Sequence, residues 1–90
     1  DPYPASGEIN STVDDVGAAT ARVEAEFAGT GVTTDTFDGL TVSHWDDEPR
    51  WWFSVRPSGT EPLLRLNVEA ADAATMASVR DRALAAIREG

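Results

Sequence analysis

The sequence predicts an α+β domain: a mostly antiparallel sheet of four or five strands with two helices on one face, in the order β-α-β-β-β-α. Three observations support this fold. Two segments carry apolar residues at helical spacing, the segments between them alternate apolar and polar residues, and the alternating segments follow one another through short turns. A chain of 90 residues is long enough for one domain with a single core.

The first half of the chain predicts one strand and one helix. Residues 1–7 contain two prolines and a glycine, and we interpret them as a lead-in or linker before a domain over 8–90. Residues 8–13 alternate and predict a short strand. A helix capped by Asp14 or Asp15 should run to about Ala28. Its apolar positions form a single stripe: Val16, Ala19, Val23 and Phe27.

The second half predicts a hairpin, a pair of long strands and a last helix. Asp38-Gly39 is typical of a two-residue hairpin turn and predicts strands over 33–37, the shortest of the set, and 40–45. Residues 50–56 and 63–69 alternate most clearly. A helix should begin after Asp72 and end near Gly90. The residues expected to face the core are Trp51, Phe53, Val55, Leu64, Leu66, Val68, Met76, Val79, Ala83 and Ile87.

The sheet face away from the helices should be polar but should also carry Trp45 and Trp52. We expect both indoles to be partly exposed in this chain, because two tryptophans on an open face are typical of an interface with another domain. A base-stacking role for them is disfavoured by the net charge of −9 and by the absence of lysine.

Composition restricts the partners and the compartment. An acidic chain is repelled by a nucleic-acid backbone and by an anionic membrane, so we expect neither as a partner. A small anion is still possible, because a few donors on one loop set the local potential. The chain has no cysteine, which excludes a disulfide scaffold and fits a reducing compartment such as the cytoplasm. No apolar run approaches the ~20 residues of a membrane span.

The segment from Arg56 to Pro62 has the parts of a phosphate site. Arg56 offers a planar fork of donors that fits two phosphate oxygens. Ser58 and Thr60 add hydroxyl donors, and Gly59 can take a positive φ and lets a backbone N–H approach an anion closely. Successive N–H groups in such a turn can form a nest for the anion.

Ordinary tight turns use the same residue types, so chemistry alone leaves both interpretations open. Glu61 argues against an anion, since its carboxylate would repel a phosphate. Its side chain should therefore point away, toward Arg65 or to the back of the loop.

The sequence supports the other candidate sites less well. His44 is the only histidine, and no second ligand stands at metal spacing from it. Ser54, His44 and Asp46 supply the residue types of a hydrolytic triad, but nearly every chain does. The acidic run 46–48 could hold a cation, although three adjacent acids in a turn are usually just solvated.

The run Trp51-Trp-Phe-Ser-Val-Arg-Pro-Ser-Gly-Thr-Glu-Pro-Leu-Leu-Arg-Leu-Asn-Val-Glu-Ala70 resembles the C-terminal domain of the α-D-phosphohexomutases. Residues 7–10 and the closing helix fit the same pattern. The resemblance implies the fourth domain of a longer enzyme, with a TATA-binding-protein-like fold. Its loop would bind the phosphate that is not transferred while a hexose 1-phosphate and 6-phosphate interconvert. On the matching positions the binders would be Arg56, Ser58, Gly59 and Thr60.

The resemblance also implies what this chain lacks. In the family, catalysis uses a phosphoserine loop and a three-aspartate magnesium loop in the first three domains, and neither Asp-x-Asp-x-Asp nor Ser-His-Asn-Pro occurs here. We therefore expect no catalytic residue, metal ligand or cofactor in this chain, Mg²⁺ in the missing domains, and no mutase activity from the chain alone. The start at Asp1 fits a piece cut from a longer protein.

Two alternatives stay open. Gly59 is common in phosphoglucosamine mutases, whereas the flanking strands favour a phosphomannomutase/phosphoglucomutase. From a different class, the chain could be a free-standing βαβ-type binding or regulatory module that uses its open sheet face. The partners expected on the first interpretation are a mannose or glucose phosphate, its bisphosphate intermediate, and the other domains of the same polypeptide.

Overall fold

The computed structural model describes residues 3–29, 31–37 and 39–89. In this part of the chain the elements are β1 (Ile9–Thr12), α1 (Val16–Phe27), β2 (Thr33–Asp35), β3 (Leu40–Ser43), β4 (Trp51–Pro57), β5 (Leu63–Ala70) and α2 (Ala73–Arg88). None of the helices described is long and apolar enough to cross a membrane.

Both helices begin at an aspartate whose side chain accepts an otherwise unsatisfied backbone N–H. Asp15 accepts from Ala18 N at 3.1 Å, and Asp72 accepts from Thr75 N at 2.8 Å. The stripe predicted for α1 lies on its inner face, with Ala19, Val23 and Phe27 buried. On α2, Val79, Ala83, Ala86 and Ile87 are buried.

The strands form one antiparallel sheet in the order β1-β5-β4-β3-β2. The two longest strands, β4 and β5, lie side by side near its middle, and β1 and β2 form opposite edges. Because α1 connects β1 to β2, it must cross beneath the sheet from one edge to the other. The predicted α+β fold is confirmed.

The core lies between the sheet and the two helices. The alternate residues of β3, β4 and β5 that point to the helices are almost fully buried, and they contact the apolar stripes of α1 and α2. The largest of these buried side chains are Phe53, Leu40, Leu64, Leu66 and Ile87. The opposite side of the sheet, called the open face below, carries the outward residues of β4 and β5.

The hairpin between β2 and β3 differs from the predicted two-residue turn. Asp35 is paired with Thr41, so β2 ends earlier and the connection is longer. The side chain of Asp35 accepts the N–H of Phe37 at 2.8 Å, an Asx turn that draws the backbone out of the strand. Of the expected Asp38-Gly39 pair, Asp38 lies outside the described residues, and Gly39 has a φ of +80°.

The segment before β1 is bonded to the sheet. Ser6 N donates to Val68 O at 2.8 Å, and Ala70 N donates to Pro4 O at 3.1 Å. The Ser6 hydroxyl accepts from Val68 N at 3.0 Å. Residues 4–6 thus line the half of β5 that β1 leaves open, since β1 pairs only with residues 63–66.

Candidate functional site

The loop between β4 and β5 (residues 58–62) is fixed at its base by backbone hydrogen bonds. Ser58 N donates to Leu63 O at 2.9 Å, and Leu63 N donates to Glu61 O at 2.7 Å. A third bond, from Val13 N to Pro62 O at 2.8 Å, fastens the loop to the end of β1. The loop is therefore held in place before any ligand arrives, which lowers the ordering cost of binding.

The four residues predicted for phosphate binding occupy one end of the sheet. Arg56, Gly59 and Thr60 are exposed and Ser58 is half-buried. The N–H of Ser58 is engaged by Leu63, so the expected nest cannot include it.

The donors that remain belong to the loop tip. Among the described residues, no protein acceptor bonds the backbone N–H groups of Gly59, Thr60 and Glu61, or the hydroxyls of Ser58 and Thr60. The loop thus presents backbone and side-chain donors to solvent on one short segment. Such an arrangement can receive an anion.

Gly59 adopts a negative φ. The left-handed conformation that glycine can take is not used at this position. A Cβ built on Gly59 would meet no atom within 4 Å, so packing does not require glycine either. The space beside its backbone is open, so an incoming group could approach it closely.

Arg65 was predicted to lie on the open face but was not counted among the phosphate-binding residues. The structure places it on the open face, beside Arg56. Antiparallel pairing sets Arg65 on β5 directly opposite Arg56 on β4. The two guanidinium-bearing side chains leave the same face of the sheet beside the loop. The strand pairing could have been used to find this pair. Pro57 and Leu64 are the partners nearest the loop, so the next pair along the strands is Arg56 and Arg65.

A carboxylate lies beside one arginine of this pair. Glu8 Oε2 lies 4.0 Å from Arg65 Nε, and both side chains are about half exposed. Glu8, rather than Glu61, is thus the ion-pair partner of Arg65. Glu61 itself is exposed at the outer end of the loop.

A cleft of about 490 Å³ extends from the arginine pair along the open face. Its floor is formed by the outward residues of two strands, and residues 5, 7 and 8 form one rim. This volume lies within the range of small-molecule sites, which is roughly 300–1,000 Å³. The floor residues are Trp52, Ser54 and Arg56 of β4 and Arg65, Asn67 and Glu69 of β5.

Both tryptophans expected on the open face are partly exposed, as predicted. Trp52 lines the cleft, and its indole Nε1–H donates to Glu69 Oε1 at 2.8 Å. Trp45 follows the end of β3 and packs edge-on against Tyr3, with ring centroids 5.2 Å apart. The two indoles therefore have different surroundings.

The weaker candidate sites do not assemble. Ser54 lines the cleft on the open face, whereas the ring of His44 stacks on buried Trp51 at 5.4 Å and its Nδ1 contacts Pro49 O at 2.8 Å. No triad forms, because His44 and Ser54 lie on opposite sides of the sheet. In the described part of the chain, no three His, Cys, Asp or Glu side chains are close enough to share a metal ion.

Comparison with known proteins supports the resemblance. The family profile described as phosphoglucomutase/phosphomannomutase, C-terminal domain, matches residues 8–86. A phosphomannomutase of Salmonella typhimurium is 46% identical over 85 residues, 94% of this chain and 18% of that protein. A phosphomannomutase of Escherichia coli is 39% identical over 96% of this chain. An enzyme of Xanthomonas campestris named phosphohexose mutases is 41% identical over 98% of this chain.

These relatives are much longer than the sequence studied here. The chain spans about a fifth of their length: 18% of the Salmonella and Escherichia proteins and 19% of the Xanthomonas protein. The similarity therefore covers one part of each relative.

Proposed function

The chain belongs to the phosphoglucomutase/phosphomannomutase family as its C-terminal domain, and on this premise we propose that it binds the phosphate of a hexose phosphate that is not being transferred. The binders would be Arg56, Ser58, Gly59 and Thr60, and Arg65 would act with them. The parent enzyme would interconvert hexose 1-phosphates and 6-phosphates, as a phosphomannomutase/phosphoglucomutase.

The facing pair Arg56 and Arg65 is the observation that carries this proposal. Like charges directly opposite each other on neighbouring strands are destabilising. An anion in front of them would be attracted by both charges and would accept charge-assisted hydrogen bonds from two planar forks. The donors at the loop tip stand at the same end of the sheet.

A loop fixed by backbone hydrogen bonds suits a phosphate group that is bound but not transferred. Binding of the phosphate that does not react fixes the position of the substrate, and this orientation favours a reaction at the other end of the molecule. The transferring serine and the magnesium ligands would come from the other domains of the same polypeptide, so this chain alone would be inactive. A parent of this kind would act in the cytoplasm on soluble sugar phosphates.

Titration of the 90-residue chain with mannose 6-phosphate or glucose 6-phosphate, followed by backbone amide shifts, tests the site. Shifts should centre on residues 56–60 and on Arg65. We expect weak binding, about millimolar, which corresponds to about −4 kcal/mol and suits one loop open to water. Shifts centred on residues 33–45 would contradict the assignment.

A further inference from the structure

We infer that Gly39 is a positioning residue for Arg56: it leaves room for the aliphatic stem of this side chain and so sets the direction in which the guanidinium extends. This inference rests on the proposed function, because the direction matters for binding only if Arg56 receives the phosphate. It goes beyond that function by assigning a part of the site to the β2–β3 hairpin, which contains none of the four predicted binders.

Strand register brings the start of β3 to the arginine end of the sheet. Leu40, the first residue of β3, pairs with Val55 on β4, and Arg56 is the next residue along β4. Gly39 immediately precedes Leu40 and is therefore brought beside Arg56, although the two are distant in the sequence. Arg65 flanks Arg56 on its other side, on β5. Arg56 thus lies between a glycine and an arginine.

Arg56 already occupies the space that a side chain at position 39 would need. A Cβ built on Gly39 would lie 3.0 Å from Arg56 Cγ and 3.3 Å from Arg56 Cα. Carbon atoms in good contact stand about 3.5–4.0 Å apart, so both distances are too short for a side chain at this position. Because Cγ is nearer to this point than Cα is, the stem of Arg56 extends toward the hairpin and away from Arg65.

The direction of this stem has an electrostatic reason. Arg56 and Arg65 are paired directly across β4 and β5, and like charges in such a pair repel each other. A stem that turns toward Gly39 increases the distance between the two charges. A side chain at position 39 would push the stem back toward Arg65, where the repulsion is larger. The missing side chain at position 39 therefore determines which way Arg56 can extend.

A substitution at Gly39 also affects the backbone, and a test must separate the two effects. A Cβ at this position would lie 2.7 Å from Val55 O, which belongs to the central strand of the sheet. The φ of Gly39 is +80°, a conformation that favours glycine. Loss of stability is thus expected from any substitution here, whereas displacement of Arg56 is specific to the inference.

Nuclear magnetic resonance of the 90-residue chain observes the contact directly. A nuclear Overhauser effect between a Gly39 Hα and the Arg56 Hγ protons should be present without ligand. In Gly39→Ala the Nε–Hε resonance of Arg56 should shift. An unchanged resonance would overturn the inference and would leave the proposed function untouched.

Gly31→Ala is the matched control. Gly31 has a φ of +82°, and a Cβ on it would lie 3.1 Å from His44 Nε2, so its substitution combines the same backbone strain with a close contact. His44 follows Ser43, the last residue of β3, so this contact lies at the opposite end of that strand from Gly39. Gly31→Ala should lower Tm but should leave the Nε–Hε resonance of Arg56 in place.

Steady-state kinetics of the complete gene product with a hexose 1-phosphate tests the consequence for binding. Gly39→Ala should lower kcat/KM about tenfold, as expected for the loss of one charge-assisted hydrogen bond, and Gly31→Ala should leave it unchanged. In an Arg56→Ala background, Gly39→Ala should lower kcat/KM no further, because the stem that it displaces is gone. Tm should still fall in that background, since the contact with Val55 O remains.

The possible failures are distinguishable. If Arg56→Ala lowers kcat/KM but Gly39→Ala does not, or if Gly39→Ala lowers it equally in both backgrounds, the positioning role is wrong and the phosphate assignment stands. If Arg56→Ala leaves kcat/KM unchanged, the proposed function is wrong. If Gly39→Ala does not fold, Gly39→Asn repeats the test with less backbone strain, because asparagine takes a positive φ more readily and adds the same Cβ.

Discussion

Arg56 and Arg65 stand directly opposite each other on β4 and β5, at the end of the sheet where the loop joins the two strands. Like charges that face each other on neighbouring strands repel, so this juxtaposition costs some stability on its own. Glu8 Oε2 lies 4.0 Å from Arg65 Nε. On the proposed function, this end of the sheet is where the phosphate would bind.

The first prediction concerns the planar fork of Arg56. Arg56→Lys keeps the charge but loses the geometry that bonds two phosphate oxygens at once. A charge-assisted hydrogen bond contributes roughly 1.5–3 kcal/mol, so kcat/KM of the complete gene product should fall about 10- to 150-fold. Steady-state kinetics measures the loss, and thermal melts should be unchanged because Arg56 is exposed.

Arg50→Lys is the matched control for this variant. Arg50 immediately precedes the same strand at its other end, is exposed, and pairs only loosely with Glu48 at 3.5 Å. Its replacement should cost little activity. Equal small losses in both variants, or a large drop in Tm for Arg56→Lys alone, would show that Arg56 has a structural role.

The second prediction separates binding from stability at Arg65. Arg65→Gln should weaken phosphate inhibition of the complete gene product about 10-fold or more, because one charged donor group is lost. The same change relieves the repulsion from Arg56, so Tm without ligand should not fall. A lowered Tm with unchanged phosphate inhibition would show that the Glu8 pair is the main role of Arg65.

The third prediction uses two glycines at the same end of the sheet. A Cβ on Gly59 would meet open space, so Gly59→Ala should leave stability unchanged and should weaken phosphate binding if an anion approaches this backbone. A Cβ on Gly39 would lie 2.7 Å from Val55 O, and the φ there is +80°. Gly39→Ala should therefore lower the free energy of unfolding by about 1–3 kcal/mol.

Chemical denaturation and phosphate titration of the 90-residue chain measure both glycine variants. The two variants should differ: Gly59→Ala should lose phosphate affinity alone, and Gly39→Ala should also lose stability. Normal phosphate affinity in Gly59→Ala would place the anion away from this backbone.

The fourth prediction concerns tryptophan emission. Trp51 is 7% exposed, whereas Trp45 and Trp52 are partly exposed. Acrylamide quenching of the 90-residue chain should separate a protected component from an accessible one. Trp52→Phe and Trp45→Phe should each reduce the accessible component, and full protection of both indoles would contradict their placement on the open face.

Much of the fold could be predicted because periodicity reports burial directly. The stripe through Val23 and Phe27 and the alternation through Phe53 and Leu66 hold in the structure, since each apolar position must face the one available core. The capping aspartates could also be predicted, because an aspartate just before an apolar stripe can accept hydrogen bonds from the first backbone N–H groups of a helix.

Other features depend on register or on distant contacts. Arg65 joins Arg56 only through strand pairing, which depends on the length of the loop. The hairpin after β2 is longer than the Asp-Gly signal indicates, because Asp35 bonds the N–H of Phe37 and ends the strand early. Local sequence contains the donor and the acceptor of that bond but does not decide which competing turn forms.

The hydrogen bonds of residues 4–6 to β5 affect how this domain should be isolated. The family match starts at residue 8, so a fragment cut there would lose Pro4 and Ser6. The backbone groups of Val68 and Ala70 would then lie on a bare strand edge next to the core, and bare edges recruit strands from other molecules. Such a fragment should form edge-to-edge dimers or aggregates, whereas residues 4–6 cover this edge in the chain described here.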